Sequence, residues 1–463
     1  MSIKGPLGAT PDTGAFELRS PARARRILVG SRLGLAGLIG VLLTGLVVCV
    51  AAAHTNSLLP ESVRPVPSWM AGAFGGWDLR LNTGELITVL SLMFVSYVFA
   101  VRAADRLSPR AVLMTIAALN ALVLLAPPLL STDVFSYQAY ARMWDIYNAN
   151  PYLTGPHVIA LDPLYPYIGA KWWDTPTAYG PLFTLLSAPL ATVSIAASAL
   201  AFKATAALAS LITVALIWHA CRLRGLDSVR GVALFGLNPL VVLYGVGGGH
   251  NDLLMLVLTT AGVYALLARR ERTSGAMIAL GAGIKLTGGL LLPFALASGV
   301  ELGATKRRRA ILTGAAVTAA AVGGAGVAAF GLGPLHLLGT LQKIQSEGDW
   351  HSIPGFISTR LGMGAIGTVA GIVLGAVFLV VLGWLLRRVW RGEMDWIDGA
   401  AWATLAMLVT ASSLLPWYVA WLMPLVALCT DRRLWRAALW LTGIVLFITM
   451  LGYVPHGVSF LGI

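Results

Sequence analysis

Charge is what this chain has least of. Of its 463 residues only 11% are charged, while 57% are hydrophobic, and the mean hydropathy is +0.78. A water-soluble domain of that composition has too few polar atoms to cover its surface. Cysteine is also scarce: Cys49, Cys221 and Cys429 sit in or at the ends of apolar runs, with no CxxC or His–Cys spacing. That argues against a disulfide framework and against a metal site. There is no phosphate-binding glycine loop with GK[ST], no HExxH and no nucleophile elbow. No long half-to-half repeat is visible, which weighs against an inverted-repeat transporter. Apart from the N-terminus, no polar stretch is long enough to form a soluble domain. Residues 1–26 are Gly/Pro-rich, end in the basic cluster Arg23, Arg25 and Arg26 and lack a leading apolar region. They read as a disordered cytoplasmic tail ahead of a transmembrane domain at 27–463.

Apolar runs fill most of the rest, at about 27–53, 84–103, 110–130, 178–221, 230–246, 253–268, 276–299, 310–331, 362–386, 397–430 and 434–452. Several reach the roughly 20 residues that span a bilayer core. The expected fold is an all-α polytopic membrane protein. Basic clusters punctuate the runs, and the positive-inside rule places them in the cytoplasm. The rule is satisfied throughout only if 178–197 and 276–299 are short hairpins that enter from one face and return to it. Gly180, Pro181 and Pro189 in the first, and Gly281, Gly283, Gly288, Gly289 and Pro293 in the second, supply the required breaks. About 11 full crossings then remain, with the N-terminus inside. Of the 33 basic residues, 25 fall on the cytoplasmic side; the exceptions are Arg64, Arg80, Arg142, Lys171, Lys203, Lys285, Lys343 and Arg360. This excess of basic charge explains a net charge of +13 without nucleic acid as partner.

In that topology the unusual polar residues gather on the extracytoplasmic face. The loop at 131–177 opens with STDVFSYQAYARMWDIYNANPY. Asp133 lies where headgroups meet water, and an ionisable residue there is a functional candidate. Partial desolvation would raise its pKa and strengthen it as a base. The alternative is that Asp133 caps the next helix. Residues 134–147 have amphipathic spacing suited to a helix lying on the membrane surface. Downstream, Asp162, Trp173, Asp174 and Tyr179, with Tyr137, combine acids and aromatic rings as sugar recognition does; an interfacial aromatic belt with solvated charges is the plainer reading. GGGHND offers His250, Asn251 and Asp252 at an outer helix junction, either as ligand contacts or as a capped turn. Lys285, alone at the tip of the second hairpin, suits a lipid phosphate, or else snorkels to the interface. Glu347, Asp349, Trp350, His351 and Ser352 in the last large outer loop, and Pro416-Trp417-Tyr418 at an outer helix junction, could complete a pocket or equally anchor the interface.

STDVFSYQAYARM, the NPY that follows, WDTPTAYGPL, NPL with GGGHNDLLML, and GIKLTGGLLLP together resemble the actinobacterial polyprenol-phosphate-mannose-dependent α-(1→6)-mannosyltransferases of the C-type membrane glycosyltransferase superfamily. The resemblance runs from about Ser131 to Pro293. It implies the C-type fold, with a large first extracytoplasmic loop, in the plasma membrane. It also implies a lipid-linked donor, polyprenyl-phosphate-mannose, and a mannan or lipomannan acceptor. Asp133 matches the family's catalytic base. Lys285, Arg142 or Arg360 would balance the leaving phosphate, and one acid at the catalytic position implies neither metal nor cofactor. The rivals are a transporter or flippase of a lipid-linked sugar, and a C-type transferase of arabinose or glucose. The oligomeric state is open, with a monomer the simplest expectation.

Overall fold

A computed structural model describes residues 21–62, 67–299, 303–348, 351–363 and 366–453, and every regular element among them is helical. Arg64, Asp349, Trp350 and residues 1–20 lie outside the described residues. Six helices are long and apolar enough to cross a membrane: α1 (Pro21–Ala51), α2 (Thr83–Arg102), α6 (Ile195–Leu223), α11 (Ala304–Phe330), α14 (Thr368–Trp390) and α17 (Arg432–Leu451). The first helix starts at Pro21, inside the segment read from sequence as tail. Shorter elements fill the space between them: α3 (Pro109–Leu125), α4 (Asp133–Asp145), α5 (Pro181–Ser187), α7 (Ser228–Gly236), α8 (Asp252–Leu267), α9 (Glu271–Ile284), α10 (Leu291–Ala297), α12 (Leu337–Glu347), α13 (Ile353–Arg360), α15 (Trp396–Thr410) and α16 (Met423–Ala427). The chain is a helical membrane protein.

Small residues set the closest helix contacts. Along α1, Gly34 faces Ala103, Gly37 faces Ala100 and Gly40 faces Ser96, so α1 and α2 run antiparallel; a Cβ on Gly37 would lie 2.6 Å from the Ala100 nitrogen. Such stripes allow the tight van der Waals packing that associates helices in lipid.

The second breaker-rich segment, 276–299, returns to the end from which it starts. Gly281 packs on Thr259 and Gly262 on Ile278, so α9 runs back along α8; Gly275 packs on Ile311 and Gly283 on Val322, so α11 runs parallel to α9. The connection must therefore reverse. It does so at Lys285, whose extended backbone ends α9, and 286–297 comes back to where Arg308 donates to the carbonyls of Leu296 (3.0 Å) and Gly299 (3.3 Å). The other segment begins beside this tip, with the Gly180 N–H on the Ile284 carbonyl (2.9 Å). It ends against α4, where Gln138 donates to the carbonyls of Leu190 and Val193, both at 3.0 Å.

A second break lies between α7 and a π-helical segment, Leu240–Val246, bent by 50° at Asn238-Pro239. Proline removes a backbone donor and leaves its neighbours unpaired. Asn238 compensates: its carbonyl oxygen accepts from the Leu240 N–H (2.9 Å), and its amide donates to Thr442 (3.0 Å) and Tyr97 (3.2 Å). The bend is thereby tied to α2 and α17.

One expectation needs correcting. Helix α4 is not a half-exposed helix lying on a membrane surface; Asp133–Ala141 and Met143 are all buried. Phe183 and Phe202 cover the Tyr137 face, and turns of the 146–180 loop cover the rest.

The tip contact yields a test. A Cβ on Gly180 would lie 2.2 Å from the Gly283 carbonyl oxygen, and backbone cannot rotate away. Gly180→Ala should destabilise by about 1–3 kcal/mol, as overpacking does, lowering the melting temperature in detergent. Gly323→Ala meets nothing within 4 Å and should leave it unchanged or higher.

Candidate active site

Pro127 and Pro128 end the approach from α3, and the chain turns through Leu130, whose φ is +62°. The Leu129 N–H bonds the Gly247 carbonyl (3.0 Å) and the Leu130 N–H bonds that of Leu58 (3.0 Å). Asp133 then opens α4, its N–H on Ser131 Oγ (3.2 Å). Its carboxylate does not cap the helix; Thr132 holds the cap position. Instead Oδ2 gathers three side chains: His250 Nδ1 at 3.3 Å, Tyr179 OH at 3.4 Å and Tyr137 OH at 3.5 Å. Tyr137 follows Asp133 by four residues and so shares its helix face. Burial alone pushes the Asp133 carboxyl up, as the sequence suggested. The hydrogen bond and charge of His250, with the charge of Lys285, outweigh burial and hold it below the usual carboxylate range. Burial and the same carboxylate push the Tyr137 and Tyr179 hydroxyls well above the ordinary phenol, which keeps both as donors.

GGGHND leads from the π-helical segment into α8. Gly249, at φ +67°, passes so close to Val134 that a Cβ would lie 2.6 Å from its Cγ1, which explains the glycine. His250 is fully buried and stacks on Trp417, ring centroids 3.6 Å apart and 17° from parallel. The Asn251 N–H donates to the Tyr137 hydroxyl (3.4 Å), Asn251 Oδ1 at 3.4 Å competes with Asp133 for its one proton, and Asn251 occupies the cap position of α8 without a side-chain cap bond.

Asp252 faces the hairpin tip. Its Oδ1 accepts from Lys285 Nζ (2.8 Å) and Trp421 Nε1 (2.7 Å). The ammonium lies 4.5 Å from the Tyr418 ring centroid, 5.2 Å from that of Trp421 and 5.9 Å from that of Tyr179, and Tyr418 stacks on Trp421 at 4.2 Å. Four buried polar atoms in this cluster lack a partner among the described residues: His250 Nε2, Asn251 Nδ2, Asp252 Oδ2 and Trp417 Nε1. Buried polar atoms are ordinarily satisfied, so their concentration marks a ligand site. From Trp421 and Thr287 an apolar groove runs between α8, the hairpin and α16, past Met255, Thr259, Leu291 and Leu425.

The structure thus unites Asp133, Tyr137, Tyr179, His250, Asn251, Asp252, Lys285, Trp417 and Tyr418. It sends other candidates elsewhere. Arg142 and Asp162 pair with each other (2.8 Å), and Tyr147 closes the second carboxylate oxygen (2.9 Å); this buried clamp fastens the loop to α4. Trp173 stacks on Tyr165 and donates to the Ile168 carbonyl. Asp174 meets His157 (3.0 Å) on the surface. Arg360 ends α13, exposed, beside the Phe356 ring, and His351 lies just ahead of α13. Among the described residues no three His, Cys, Asp or Glu side chains converge as metal ligands. Sequence reasoning missed Trp421, although it stands four residues after Trp417 in PWYVAW and so belongs to the same short element.

Fold and site together define a multi-pass helical membrane protein with a buried acid, imidazole and ammonium at one end of an apolar groove. A family model described as alpha-(1->6)-mannopyranosyltransferase, N-terminal domain, matches residues 31–301, and one described as MptB C-terminal domain matches 351–462. Alpha-(1->6)-mannopyranosyltransferase A of Mycobacterium tuberculosis is 30% identical over 437 residues, covering 87% of this chain and 80% of the relative. Alpha-(1->6)-mannopyranosyltransferase B of Corynebacterium glutamicum is 25% identical, covering 98% and 83%. The A enzyme of that organism is 26% identical, covering 65% and 68%. The chain belongs to the alpha-(1->6)-mannopyranosyltransferase family of membrane glycosyltransferases.

The ion pair can be tested apart from activity. Lys285→Met strands the Asp252 charge and should destabilise by roughly 3–5 kcal/mol. Lys285→Met with Asp252→Asn removes both charges and should recover most of the lost melting temperature. A double variant no more stable than the single one would show that the pair does not hold the tip.

Proposed function

We propose that this protein transfers mannose from polyprenyl-phosphate-mannose to an α-mannan or lipomannan acceptor. The reaction takes place on the outer face of the plasma membrane and forms an α-(1→6) linkage. The observation that carries the reading is the order of groups in one buried cluster: carboxylate, then ammonium among aromatic faces, then apolar groove. A lipid-linked sugar has its parts in the same order. Its prenyl chain is directed to the apolar groove below Trp421, whose roughly 30 Å³ of free space has to widen to admit it. Its phosphate lies at Lys285, which has three donors and spends one on Asp252. Its sugar lies between Tyr179, Trp417 and Tyr418.

Asp133 accepts the proton of the acceptor hydroxyl as that oxygen bonds to the anomeric carbon. The carbon–oxygen bond to phosphate breaks on the opposite face, and the phosphate departs with the electron pair. One displacement turns a β-linked donor into an α-linked product, through an oxocarbenium-like transition state. Oδ2 is occupied by His250, Tyr137 and Tyr179, so Oδ1 takes the proton. A carboxylate held below its ordinary pKa is a modest base, but it stays ionised to lower pH than an ordinary carboxylate does.

The orientation implied is eleven crossings, with the Asp133 end outside and the arginine-rich ends inside. All three native cysteines are buried, so single reporters can be read against them. Leu161→Cys, on a fully exposed loop residue, and Thr273→Cys, exposed at the start of α9, should label from opposite sides with an impermeant thiol reagent. Labelling of both from one side would overturn this topology.

Activity tests the chemistry. With labelled polyprenyl-phosphate-mannose and a short α-mannoside acceptor, Asp133→Asn should lose about 10²–10⁴-fold in turnover. Retention of more than roughly a tenth of activity would exclude a base of that strength. Activity should survive chelators; loss in EDTA restored by Mg²⁺ or Mn²⁺ would overturn the metal-free scheme. Wild-type turnover should hold from pH 7 to pH 5 and fall only as Asp133 protonates below its ordinary range, near pH 4. His250→Phe keeps the stack on Trp417 but removes the hydrogen bond, leaving burial less opposed, so the acid limb should move to higher pH.

A further inference from the structure

Lys203 is a basic residue for which neither the topology nor the proposed reaction has a use. It sits in the first third of α6, a helix of membrane-spanning length, and is fully buried. An ammonium there needs full compensation. Among the described residues no carboxylate pairs with it; Nζ donates to three backbone carbonyls, those of Leu124 (3.3 Å), Ala126 and Pro127 (2.9 Å). These lie at the end of α3. The last carbonyls of a helix have no partner within it, and Pro127 and Pro128, lacking N–H groups, cannot help satisfy them. The three donors of one lysine do, at the negative end of the helix dipole.

The other side of Lys203 touches the second half of the site. Gly249 leaves so little room that a Cβ would lie 3.3 Å from Lys203 Cγ and 3.4 Å from its backbone nitrogen. The ammonium therefore grips the segment six to nine residues ahead of Asp133, while the stem supports the residue next to His250. Leu129 and Gly247 join the same two segments by a backbone hydrogen bond. We propose that Lys203 is a positioning residue that fixes Asp133 against His250 by holding the two converging segments together. The inference rests on the assignment of Asp133 to the reacting centre.

The titratable groups facing Asp133 are Tyr137 and Tyr140 on its own helix, Tyr179 ahead of α5, His250 ahead of α8, Tyr418 ahead of α16, and Lys285 at the hairpin tip with Asp252 bound to it. Lys203 is not among them, so its effect must pass through geometry. Lys203→Met keeps the stem and removes the donors. It should lower kcat by about a hundredfold, the scale of an ångström-sized misplacement, while the KM for polyprenyl-phosphate-mannose changes less than about twofold. With the His250 contact loosened, the acid limb of kcat should move to higher pH. Lys203→Arg retains donors and should recover most of kcat; Lys203→Gln, with two donors, should fall between and serves if the Met variant does not accumulate.

A readout independent of turnover is the ¹⁵N spectrum of histidine-labelled protein. The His250 Nδ1 signal, assigned by its loss in His250→Phe, should shift in Lys203→Met and return in Lys203→Arg. Lower melting temperature with unchanged kcat per folded molecule, unchanged acid limb and unchanged His250 signal would reduce Lys203 to a structural anchor and overturn the proposal. Absence of mannosyl transfer by the wild type would sink the proposed activity instead, and the nitrogen signal would still decide whether Lys203 sets the contact.

Discussion

Two carboxylates, Asp133 and Asp252, share one buried cluster with a single ammonium, Lys285, and the surrounding structure is arranged to make that tolerable. An isolated buried charge costs several kcal/mol. Asp252 meets the cost by direct contact with Lys285 and Trp421. Asp133 has no such partner. It relies on three weaker donors on one oxygen, and these come from three separated parts of the chain. Tyr137 comes with Asp133's own helix, and the breaks described above deliver the other two donors and the cation. The bend at Asn238-Pro239 and the π-helical turn bring His250; the 178–197 segment brings Tyr179; the tip at Lys285 brings the cation. The breakers in these segments are therefore conditions for assembling the site, and irregular backbone at this depth is acceptable because protein surrounds it.

Much of this was legible in the sequence because a membrane chain makes polarity conspicuous. Asp133, GGGHND and Lys285 each interrupt long apolar runs, and the paired glycines and prolines flagged both breaks. What stayed hidden was pairing. Arg142 and Asp162 are as conspicuous as Asp133 in the sequence, yet 20 residues of loop fold back so that they neutralise each other. Helix α4 was misjudged for a related reason. Its amphipathic spacing gives the period correctly, but spacing cannot say that loop and helix residues cover the polar face. The pKa direction of Asp133 was misjudged because burial is visible in composition whereas a donor more than 100 residues away is not.

Lys203 and Trp421 illustrate two different blind spots. Trp421 reads as another aromatic in an aromatic-rich junction, and only the indole N–H on Asp252 separates it from a membrane anchor. Lys203 reads as an exception to the charge rule, with no acid anywhere near it in sequence. Its partners are backbone carbonyls, which every residue has and no motif records. The signal that would have found it is indirect: a helix that ends in Pro-Pro leaves carbonyls unsatisfied, and a lone lysine in an apolar helix has donors unsatisfied.

The cluster also bears on stereochemistry within the proposed reaction. A double displacement needs one carboxylate as nucleophile and a second group as acid and base, set about 5 Å apart. Among the described residues Asp252 keeps Oδ2 free, but with Lys285 and Trp421 both on Oδ1 the ion pair withdraws its charge and weakens it as a nucleophile. Asp133 could not attack and then activate an acceptor as well, because His250 holds it at the first helical position of α4 and supplies the only other acid–base group in contact with its carboxylate apart from two tyrosines kept protonated. One carboxylate free to accept a proton, with a cation placed apart from it for the leaving group, is the requirement of a single displacement. In the proposed reaction inversion would follow from this division of roles, with Asp133 assigned to the incoming hydroxyl and Lys285 to the departing phosphate.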